Sequence, residues 1–358
     1  MLKFISLVIL ALGLNTALAC THITVQSTDN TLIVGRTMEF GPNLNSQIKA
    51  VPAKFTFTNT APNGKMSKSW NGQYGFIYMN GFGIDLAVDG MNEKGLSISG
   101  LYLPGYTTYA KPTDENIQNG IPYLQLGAYL LSQFDSIDAV KTDLNDLTIF
   151  DQPMDLPDHP KVSFPLHFAV TDKSGQSIVI EFINGKTIIY DNPIGILTNS
   201  PTFDWQMTNL KNYVNLSPYS PKVLHIDGYQ YSATGQGAGM IGLPGDTTPP
   251  SRFVKMAFLS KTAKPVNNAQ QAVVLAQHIL ANVYIPNGLV RGEKGTENTE
   301  TTQWTVLKDL THSVMYFKSY QYPALRAIDF NKVDFNSNKS LAIEQPAPLA
   351  IDVTKAIN

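Results

Sequence analysis

The sequence predicts an α+β domain built from antiparallel β-hairpins and a few packed helices. Short runs in which polar and apolar residues alternate recur along the chain, and clusters of turn-forming residues join them in pairs, as in β-hairpins. Helical periodicity is confined to about four blocks. Strands and helices therefore do not alternate one by one, which favours a layered α+β domain over a βαβ fold.

The first predicted hairpin begins at Cys20 and turns at residues 27–30. A turn centred between residues 28 and 29 pairs Cys20 with Thr37 and places Arg36 and Met38 on either side of that pair. Directly opposed residues in a hairpin have Cβ atoms about 5 Å apart. The hairpin alone therefore predicts that Arg36 lies near Cys20.

The remaining predicted elements follow in order. Hairpins are expected to pair 84–88 with 96–101, 166–170 with 177–181, and 303–307 with 314–318. Helices are expected at 123–133, at 136–144 with Ser136 as N-cap, at 252–261 and at 269–283. No linker, repeat or low-complexity tract interrupts the chain after residue 19, so residues 20–358 are predicted to form a single domain.

The N-terminus has the pattern of an export signal. Lys3 supplies a basic start, residues 4–14 form an apolar run too short to span a bilayer, and Ala17-Leu18-Ala19 matches a signal peptidase site. Residues 1–19 are therefore predicted to be a signal peptide, and the mature protein is expected to be secreted or periplasmic. Cleavage would leave Cys20, the only cysteine, as the first residue, with a thiol and a free α-amine together.

Three interpretations of Cys20 follow from the N-terminus alone. In the first, Cys20 is the nucleophile of an N-terminal nucleophile hydrolase. In the second, it is a lipidated cysteine that anchors a non-catalytic binding protein. In the third, it is a small buried residue with no chemical role. A lipoprotein signal usually has Leu three residues before the cysteine, whereas this chain has Ala17. The ordinary peptidase pattern therefore fits better, and the thiol is the leading candidate for a catalytic group.

Composition narrows the classes of function. The chain has 43% hydrophobic and 15% charged residues and a net charge of −2, without a basic cluster, so no nucleic-acid partner is expected. No second apolar run approaches the length of a membrane span, so stable membrane insertion is not expected either. The six histidines are scattered without the spacing of a metal site, and no metal or cofactor is predicted. Residues 237–242 match G-x-G-x-x-G, but their polar lead-in and the prolines that follow indicate a loop rather than a nucleotide site.

Several local motifs together resemble the choloylglycine hydrolase family, which contains the bile salt hydrolases and penicillin V acylases. The resemblance spans the predicted mature chain in the family's order, and its motifs are Cys20-Thr21, Gly35-Arg36-Thr37-Met38-Glu39, Asp89-Gly90-Met91-Asn92-Glu93-Lys94-Gly95-Leu96, the segment 195–204, and Gly242-Leu243-Pro244-Gly245-Asp246 leading to Ser251-Arg252-Phe253. It implies a four-layer αββα sandwich of antiparallel sheets, as in N-terminal nucleophile hydrolases, and a homo-oligomer, frequently a tetramer in this family.

The resemblance also implies roles for five catalytic residues. Cys20 matches the nucleophile, Arg36 an arginine that favours the thiolate, and Arg252 a second active-site arginine. Asn199 matches an oxyanion-hole asparagine. Glu39 stands where the family usually has Asp, and its carboxylate is expected to hold the α-ammonium with a geometry changed by the extra methylene.

Tyr102 and Met38 are predicted to contact the substrate, an N-acyl amide. Penicillin V acylases typically have Tyr where bile salt hydrolases have Asn, so Tyr102 places the chain nearer the acylase branch, and the segment 282–288 points the same way. The aromatic ring is expected to shape the acyl pocket, while the backbone N–H at this position can serve the oxyanion hole. The predicted activity is hydrolysis of linear amides through a thioester, with conjugated bile salts as the alternative substrates and acyl homoserine lactones as a further class.

Overall fold

The computed structural model describes residues 19–156, 159–294, 299–336, 339–346 and 348–356, so the predicted signal peptide lies, apart from Ala19, outside the described residues. The α-helices are α1 (Tyr123–Gln133), α2 (Ile137–Leu144), α3 (Phe203–Leu210), α4 (Pro249–Thr262) and α5 (Ala269–Ala281). The strands are β1 (Cys20–Gln26), β2 (Leu32–Phe40), β3 (Gln47–Val51), β4 (Thr56–Phe57), β5 (Trp70–Asn71), β6 (Phe76–Met79), β7 (Asp89–Asn92), β8 (Ser97–Tyr102), β9 (Gly120–Pro122), β10 (Thr148–Phe150), β11 (Met154–Leu156), β12 (His159–Val162), β13 (Leu166–Thr171), β14 (Ser177–Ile183), β15 (Lys186–Asp191), β16 (Leu224–Ile226), β17 (Tyr229–Tyr231), β18 (Val290–Arg291), β19 (Thr299–Asp309), β20 (Val314–Ser319), β21 (Arg326–Asp329) and β22 (Lys339–Ala342).

Two large antiparallel sheets form the centre of the fold. One has the strand order β1-β2-β19-β20-β21, with β18 paired to β19, and the other has the order β15-β14-β13-β8-β7-β6-β3-β22. Helices α4 and α5 pack on the first sheet, and α1 packs on β7 and β8 of the second. The two sheets face each other, with β1 against β8. This is the four-layer αββα sandwich of antiparallel sheets that the resemblance implies, and the predicted fold class is confirmed.

The first hairpin forms, but its register differs by one residue from the prediction. Cys20 pairs with Met38 and His22 with Arg36, so the prediction that Cys20 opposes Thr37 was wrong. The turn is a three-residue loop closed by Ser27 and Thr31, with Asn30 in the left-handed conformation at φ 66°. An odd loop length shifts the pairing by one residue. Because side chains alternate between faces, the observed register puts Arg36 and Met38 on the same face as Cys20.

Two of the three later hairpins form as predicted. Strands β13 and β14 pair through Thr171 and Ser177, and β19 pairs with β20. The third prediction was wrong, because residues 84–88 form no strand and β8 pairs instead with β7, within the predicted turn. Leu86 and Val88 are still buried, but they line a pocket beside Cys20 rather than a sheet. Alternating apolar residues indicated burial at this position without indicating a strand.

The four predicted helices are all present, and the sequence analysis missed α3. Helix α4 begins earlier than expected, with Pro249 and Pro250 in its first turn. Backbone N–H groups in the first turn have no acceptor within the helix, so proline costs no hydrogen bond there. Ser136 occupies the N-cap of α2 without a side-chain capping bond. The backbone N–H of Ile137 is instead capped by the Asp172 carboxylate at 2.9 Å, a contact between distant parts of the chain.

Candidate active site

Cys20 begins β1 and lies buried between the two sheets, with 3% of its surface exposed. Its Sγ is 3.6 Å from Arg36 Nη2, 3.6 Å from Met38 Sδ and 4.0 Å from the backbone oxygen of Glu39. Burial raises the pKa of the Cys20 thiol, and the charges of Arg36 and Arg252 offset this only in part. The thiol therefore rests in its neutral form here, although the arginines stabilise the thiolate as it develops.

Arg36 is completely buried and is held in place by the opposite sheet. Its Nη2 donates a hydrogen bond to the carbonyl of Gly100 at 2.6 Å, and its guanidinium carbon lies 4.7 Å from the centre of the Trp304 ring. Its Nε is 3.9 Å from Asp89 Oδ2. The hairpin brings Arg36 to Cys20 as predicted, and the second sheet orients its charge.

A buried polar network behind Arg36 was missed by the sequence analysis. Lys308 Nζ lies 2.7 Å from Asp89 Oδ1, and Ser99 donates to Asp89 Oδ2 and receives a hydrogen bond from His22 Nδ1 at 3.1 Å. Burial lowers the pKa of Lys308 to about 8, and burial together with the neighbouring cations lowers the pKa of His22 well below its ordinary value. The one sequence signal for this network was a lysine, Lys308, among the buried residues of β19. Its partners come from other strands, so the sequence did not identify them.

Asn199 joins the nucleophile residue to Arg252. Its Oδ1 accepts hydrogen bonds from the Cys20 nitrogen and from Arg252 Nη2, each at 2.7 Å, while its Nδ2 donates to the carbonyl of Tyr102 at 2.8 Å. The atom of the Asn199 amide that faces two donors must be the oxygen, and the atom that faces a carbonyl must be the nitrogen. Within the described residues, no acceptor contacts the second N–H of Nδ2.

Arg252 is buried in the first turn of α4, where the helix dipole is unfavourable for a cation. Its hydrogen bonds compensate: Nη1 donates to the Cys20 carbonyl at 2.5 Å and to Thr21 Oγ1 at 2.7 Å, and Nε donates to the Thr247 carbonyl at 2.9 Å. Burial lowers the pKa of Arg252, and Glu39 and the Cys20 thiolate act in the opposite direction. Arg252 thus fixes both the first residue of β1 and Asn199.

Glu39 lies on the face of β2 opposite Arg36 and Met38. Its carboxylate accepts hydrogen bonds from Thr37 Oγ1 at 3.0 Å and Thr302 Oγ1 at 2.8 Å, whereas the Cys20 nitrogen donates to Asn199. The expected contact between Glu39 and the nitrogen of Cys20 is therefore not formed in this structure. Burial raises the pKa of Glu39 to about 7, despite Arg252 and the two threonines. Its role in catalysis stays a prediction.

The raised pKa of Glu39 predicts a pH-dependent stability. Since its pKa is about 7 in the folded chain and 4.5 in its ordinary state, folding takes up a proton between these values, and the free energy of unfolding falls as pH rises across that window. Glu39→Gln removes this loss. Between pH 5 and pH 8, urea unfolding should show wild type losing about 2–3 kcal/mol more than the variant.

Glu300 provides a second test of the same effect. It is also buried, with a pKa raised to about 7 by burial, so Glu300→Gln should flatten the pH dependence in the same direction. Parallel stability curves for wild type and Glu39→Gln would show that Glu39 ionises normally in the folded protein.

Tyr102 contributes both its backbone and its ring to the site. Leu103 N–H donates to the Pro165 carbonyl at the start of β13. Successive residues of a strand point their N–H and C=O groups to opposite sides, so those of Tyr102 point away from β13 and toward Asn199. The N–H of Tyr102 therefore lies on the same side of β8 as Asn199. Burial raises the pKa of the Tyr102 phenol to about 12, which keeps it neutral.

An apolar hollow lies beside Cys20. Four aromatic side chains contact one another along it, with Phe40 edge-on to Phe82 at 5.6 Å and to Tyr102 at 6.5 Å, and Phe82 stacked on Phe164 at 5.3 Å. The remaining lining includes Met38, Leu44, Leu86, Val88 and Leu166, with Arg36 as its charged member. Such a surface suits the apolar part of a ligand whose polar group lies at Cys20.

In the described ranges, no group of three or more His, Cys, Asp or Glu side chains is arranged to hold a metal ion. None of the helices in that part of the chain has the length and hydropathy needed to cross a bilayer. The motif at 237–242 lies in a loop, with Gly237 at φ 92° and Gly242 at φ 96°.

Comparison with known proteins covers the same residues that form the two sheets and the site. Residues 20–343 match the family model described as linear amide C-N hydrolases, choloylglycine hydrolase family. The chain is 33% identical over 339 residues to a bile salt hydrolase/transferase from Clostridium perfringens (strain 13 / Type A), covering 93% of this chain and 99% of that protein. It is 25% identical over 350 residues to a penicillin V acylase from Pectobacterium atrosepticum, covering 92% and 86%. A crystal structure of a variant of conjugated bile acid hydrolase from Clostridium perfringens has a TM-score of 0.81 and 32% identity, covering 94% of this chain and 100% of that chain.

Proposed function

The chain belongs to the choloylglycine hydrolase family and is a linear amide C–N hydrolase, and from this premise we propose that it is an exported enzyme that cleaves N-acyl amides through a thioester on Cys20. The strongest support for this proposal is the position of Cys20. Cys20 lines an apolar hollow, its sulfur lies 3.6 Å from Arg36 Nη2, and Asn199 contacts both the Cys20 nitrogen and the Tyr102 carbonyl.

In the proposed reaction, Sγ of Cys20 attacks the amide carbonyl carbon while its proton passes to the α-amine that leader removal exposes. The α-amine has an ordinary pKa near 8, so it can accept that proton at neutral pH. The N–H groups of Asn199 and Tyr102 receive the negative charge that develops on the carbonyl oxygen. The α-ammonium then protonates the leaving nitrogen as the C–N bond breaks, and water hydrolyses the thioester to release the acid and restore the thiol.

The acyl group is proposed to occupy the apolar hollow. Its edge-on and stacked aromatic side chains favour an acyl group that carries a ring near the carbonyl, such as the phenoxyacetyl group of penicillin V. Tyr102, at the position that led to the acylase hypothesis, contributes to this lining. N-acyl homoserine lactones present an apolar chain on the same kind of amide and are a further class.

Conjugated bile salts are the second candidate substrates, favoured by a specific observation. Identity to the bile salt hydrolase/transferase is 33%, against 25% to the penicillin V acylase, so overall similarity does not favour the acylase branch that Tyr102 suggested. Both candidates share the same attack on a linear amide and differ in the acyl group.

A substrate panel on purified processed protein tests the function. Penicillin V, glycocholate and a long-chain acyl homoserine lactone should each be assayed for release of the free amine at equal concentration. We expect penicillin V to be hydrolysed fastest. Faster release of glycine from glycocholate would assign the bile salt alternative, and hydrolysis of none of the three would contradict the proposed activity.

Export and processing are tested by the mass of the purified protein. The leader pattern at Lys3 to Ala19 and a family match that begins at residue 20 support cleavage before Cys20. An intact mass and Edman sequence that begin at an unmodified Cys20 are expected. Additional diacylglyceryl mass would instead support the lipid-anchored binding protein, in which an acylated cysteine cannot act as a nucleophile.

We also propose that the protein is a homo-oligomer, as the resemblance implies. Strands β16 and β17 form a two-stranded hairpin whose six residues are all exposed, and Tyr229 is 71% exposed on it. An isolated two-stranded hairpin is marginally stable in water, and a large exposed apolar surface is typical of an interface. A second copy of the chain is the proposed partner for this arm, residues 224–231.

Replacing apolar side chains of the arm should reduce the oligomer's mass. We expect Leu224→Ser/Tyr229→Ser to shift light-scattering mass toward that of a monomer, because the apolar area that drives association is lost. Val274→Ser on α5 is the control, since Val274 is also exposed but lies outside the arm. A monomeric wild type, or an unchanged mass for the double variant, would contradict this assignment.

A further inference from the structure

A second buried pair of titratable groups lies apart from the reacting atoms. His167 on β13 and Glu181 on β14 are both completely buried, and Nδ1 of the imidazole is 3.1 Å from Oε1 of the carboxyl group. The other ring nitrogen, Nε2, lies 2.9 Å from the carbonyl oxygen of Thr198. Neither residue belongs to the motifs that carry the family resemblance, and the proposed reaction uses neither side chain.

Counting protons fixes how this pair bonds. The Thr198 carbonyl only accepts, so Nε2 of His167 must carry the proton that it donates. The contact between Nδ1 and Glu181 Oε1 then requires one more proton, on either the ring or the carboxyl group. His167 thus joins Glu181 to the Thr198 carbonyl, and through these two contacts it holds that carbonyl in one position.

The same unit also holds the far end of the segment that contains Asn199. Glu181 Oε1 accepts a hydrogen bond from the backbone N–H of Phe203, the first residue of α3, at 2.9 Å. Thr198 and Phe203 lie on either side of Asn199, so one pair anchors both ends of residues 198–203. Gln206 Nε2, from α3, adds a longer contact of 3.3 Å to the Asn199 carbonyl.

We propose that His167 and Glu181 are positioning residues for Asn199, which acts on the substrate. This inference rests on the proposed function, because it assumes that the Asn199 amide stabilises the oxyanion. The Thr198 carbonyl belongs to the peptide group that joins Thr198 to Asn199. The Asn199 side chain in turn accepts hydrogen bonds from the Cys20 nitrogen and from Arg252. A small movement of that peptide displaces the amide donor from the place where negative charge develops, and misplacement by about 1 Å can cost about 10²-fold in rate.

Steady-state kinetics of His167→Phe, on a substrate that wild type hydrolyses, give the first test. We expect kcat to fall about 10- to 100-fold with KM changed by less than about 2-fold, because the transition state loses more than the bound substrate. His167→Gln, whose amide can still donate to Thr198, should recover part of the loss. His278→Phe is the matched control, since His278 is exposed on α5.

A double-mutant cycle separates positioning from general destabilisation. In an Asn199→Ala background, His167→Phe should slow turnover by less than about 2-fold further, since the donor that it positions is already absent. An equal loss of kcat in both backgrounds would overturn the inference, as would a His167→Phe variant with wild-type kcat. If His167→Phe does not fold, the cycle is run with His167→Gln, and the same outcomes decide.

Failure of this inference differs from failure of the proposed function. If Asn199→Ala alone turns over at the wild-type rate, the assigned role of Asn199 is wrong. If Asn199→Ala is slow but the His167 variants are fast, only the positioning role is lost. Hydrogen exchange gives a readout independent of activity, and amides of residues 198–203 should exchange faster in His167→Phe than in wild type.

Discussion

Cys20→Ser is expected to lower turnover by about 10³-fold or more while the protein still folds. A serine hydroxyl is a far weaker acid than a thiol, and the site that raises the thiol pKa by burial would disfavour an alkoxide more strongly. The replacement removes little volume from a side chain that is 3% exposed, so the fold should change little. Release of acid and amine from the preferred substrate, with thermal unfolding as the structural check, measures both effects.

Chemical modification provides an independent control for the nucleophile. Because Cys20 is the only cysteine, alkylation of native wild-type protein modifies one defined atom. Loss of activity should follow incorporation of one alkyl group per chain, and substrate should protect against it. The intact mass of Cys20→Ser must show that its leader is removed, since retained leader would block the α-amine. Normal hydrolysis by a processed serine variant would refute the assigned nucleophile.

Asn199→Ala is expected to lower kcat by about 10²- to 10³-fold with a smaller effect on KM. The substitution removes a donor toward the oxyanion and also leaves the Cys20 nitrogen and Arg252 Nη2 without their shared acceptor. Part of the loss could therefore arise from disturbed geometry around Cys20. Measurement of kcat and KM separately identifies an effect confined to the transition state.

Asn199→Asp separates these two contributions. Aspartate keeps the oxygen that accepts from Cys20 and Arg252 but replaces the N–H donor with an oxygen that repels the oxyanion. If donation is the catalytic role, Asn199→Asp should be at least as slow as Asn199→Ala. Near-normal turnover of the aspartate variant would mean that Asn199 acts only as an acceptor that holds the strand.

Local patterns in the sequence predicted elements better than their pairing. The run of apolar residues predicted α1 with its bounds, since that helix is buried nearly all round, with every residue from Leu126 to Ser132 buried. The pairing of Cys20 depends on the conformation of Asn30, and the predicted register, which was wrong by one residue, puts Arg36 on the face of the sheet opposite Cys20. Helix α3 was missed because its short amphipathic pattern offers little signal over eight residues.

The sequence by itself determined the layered α+β fold, the family, and the residues at which chemistry would be expected, because these depend on local patterns and on the order of motifs. Only the tertiary structure decided the state of those residues. Glu39 lies on the opposite face of β2 from Arg36, and Lys308 reaches Asp89 from the other sheet. Burial, rather than the nearby arginines, dominates the thiol pKa. Hydrogen-bond partners and desolvation depend on how distant strands pack, and no local pattern in the chain records that packing.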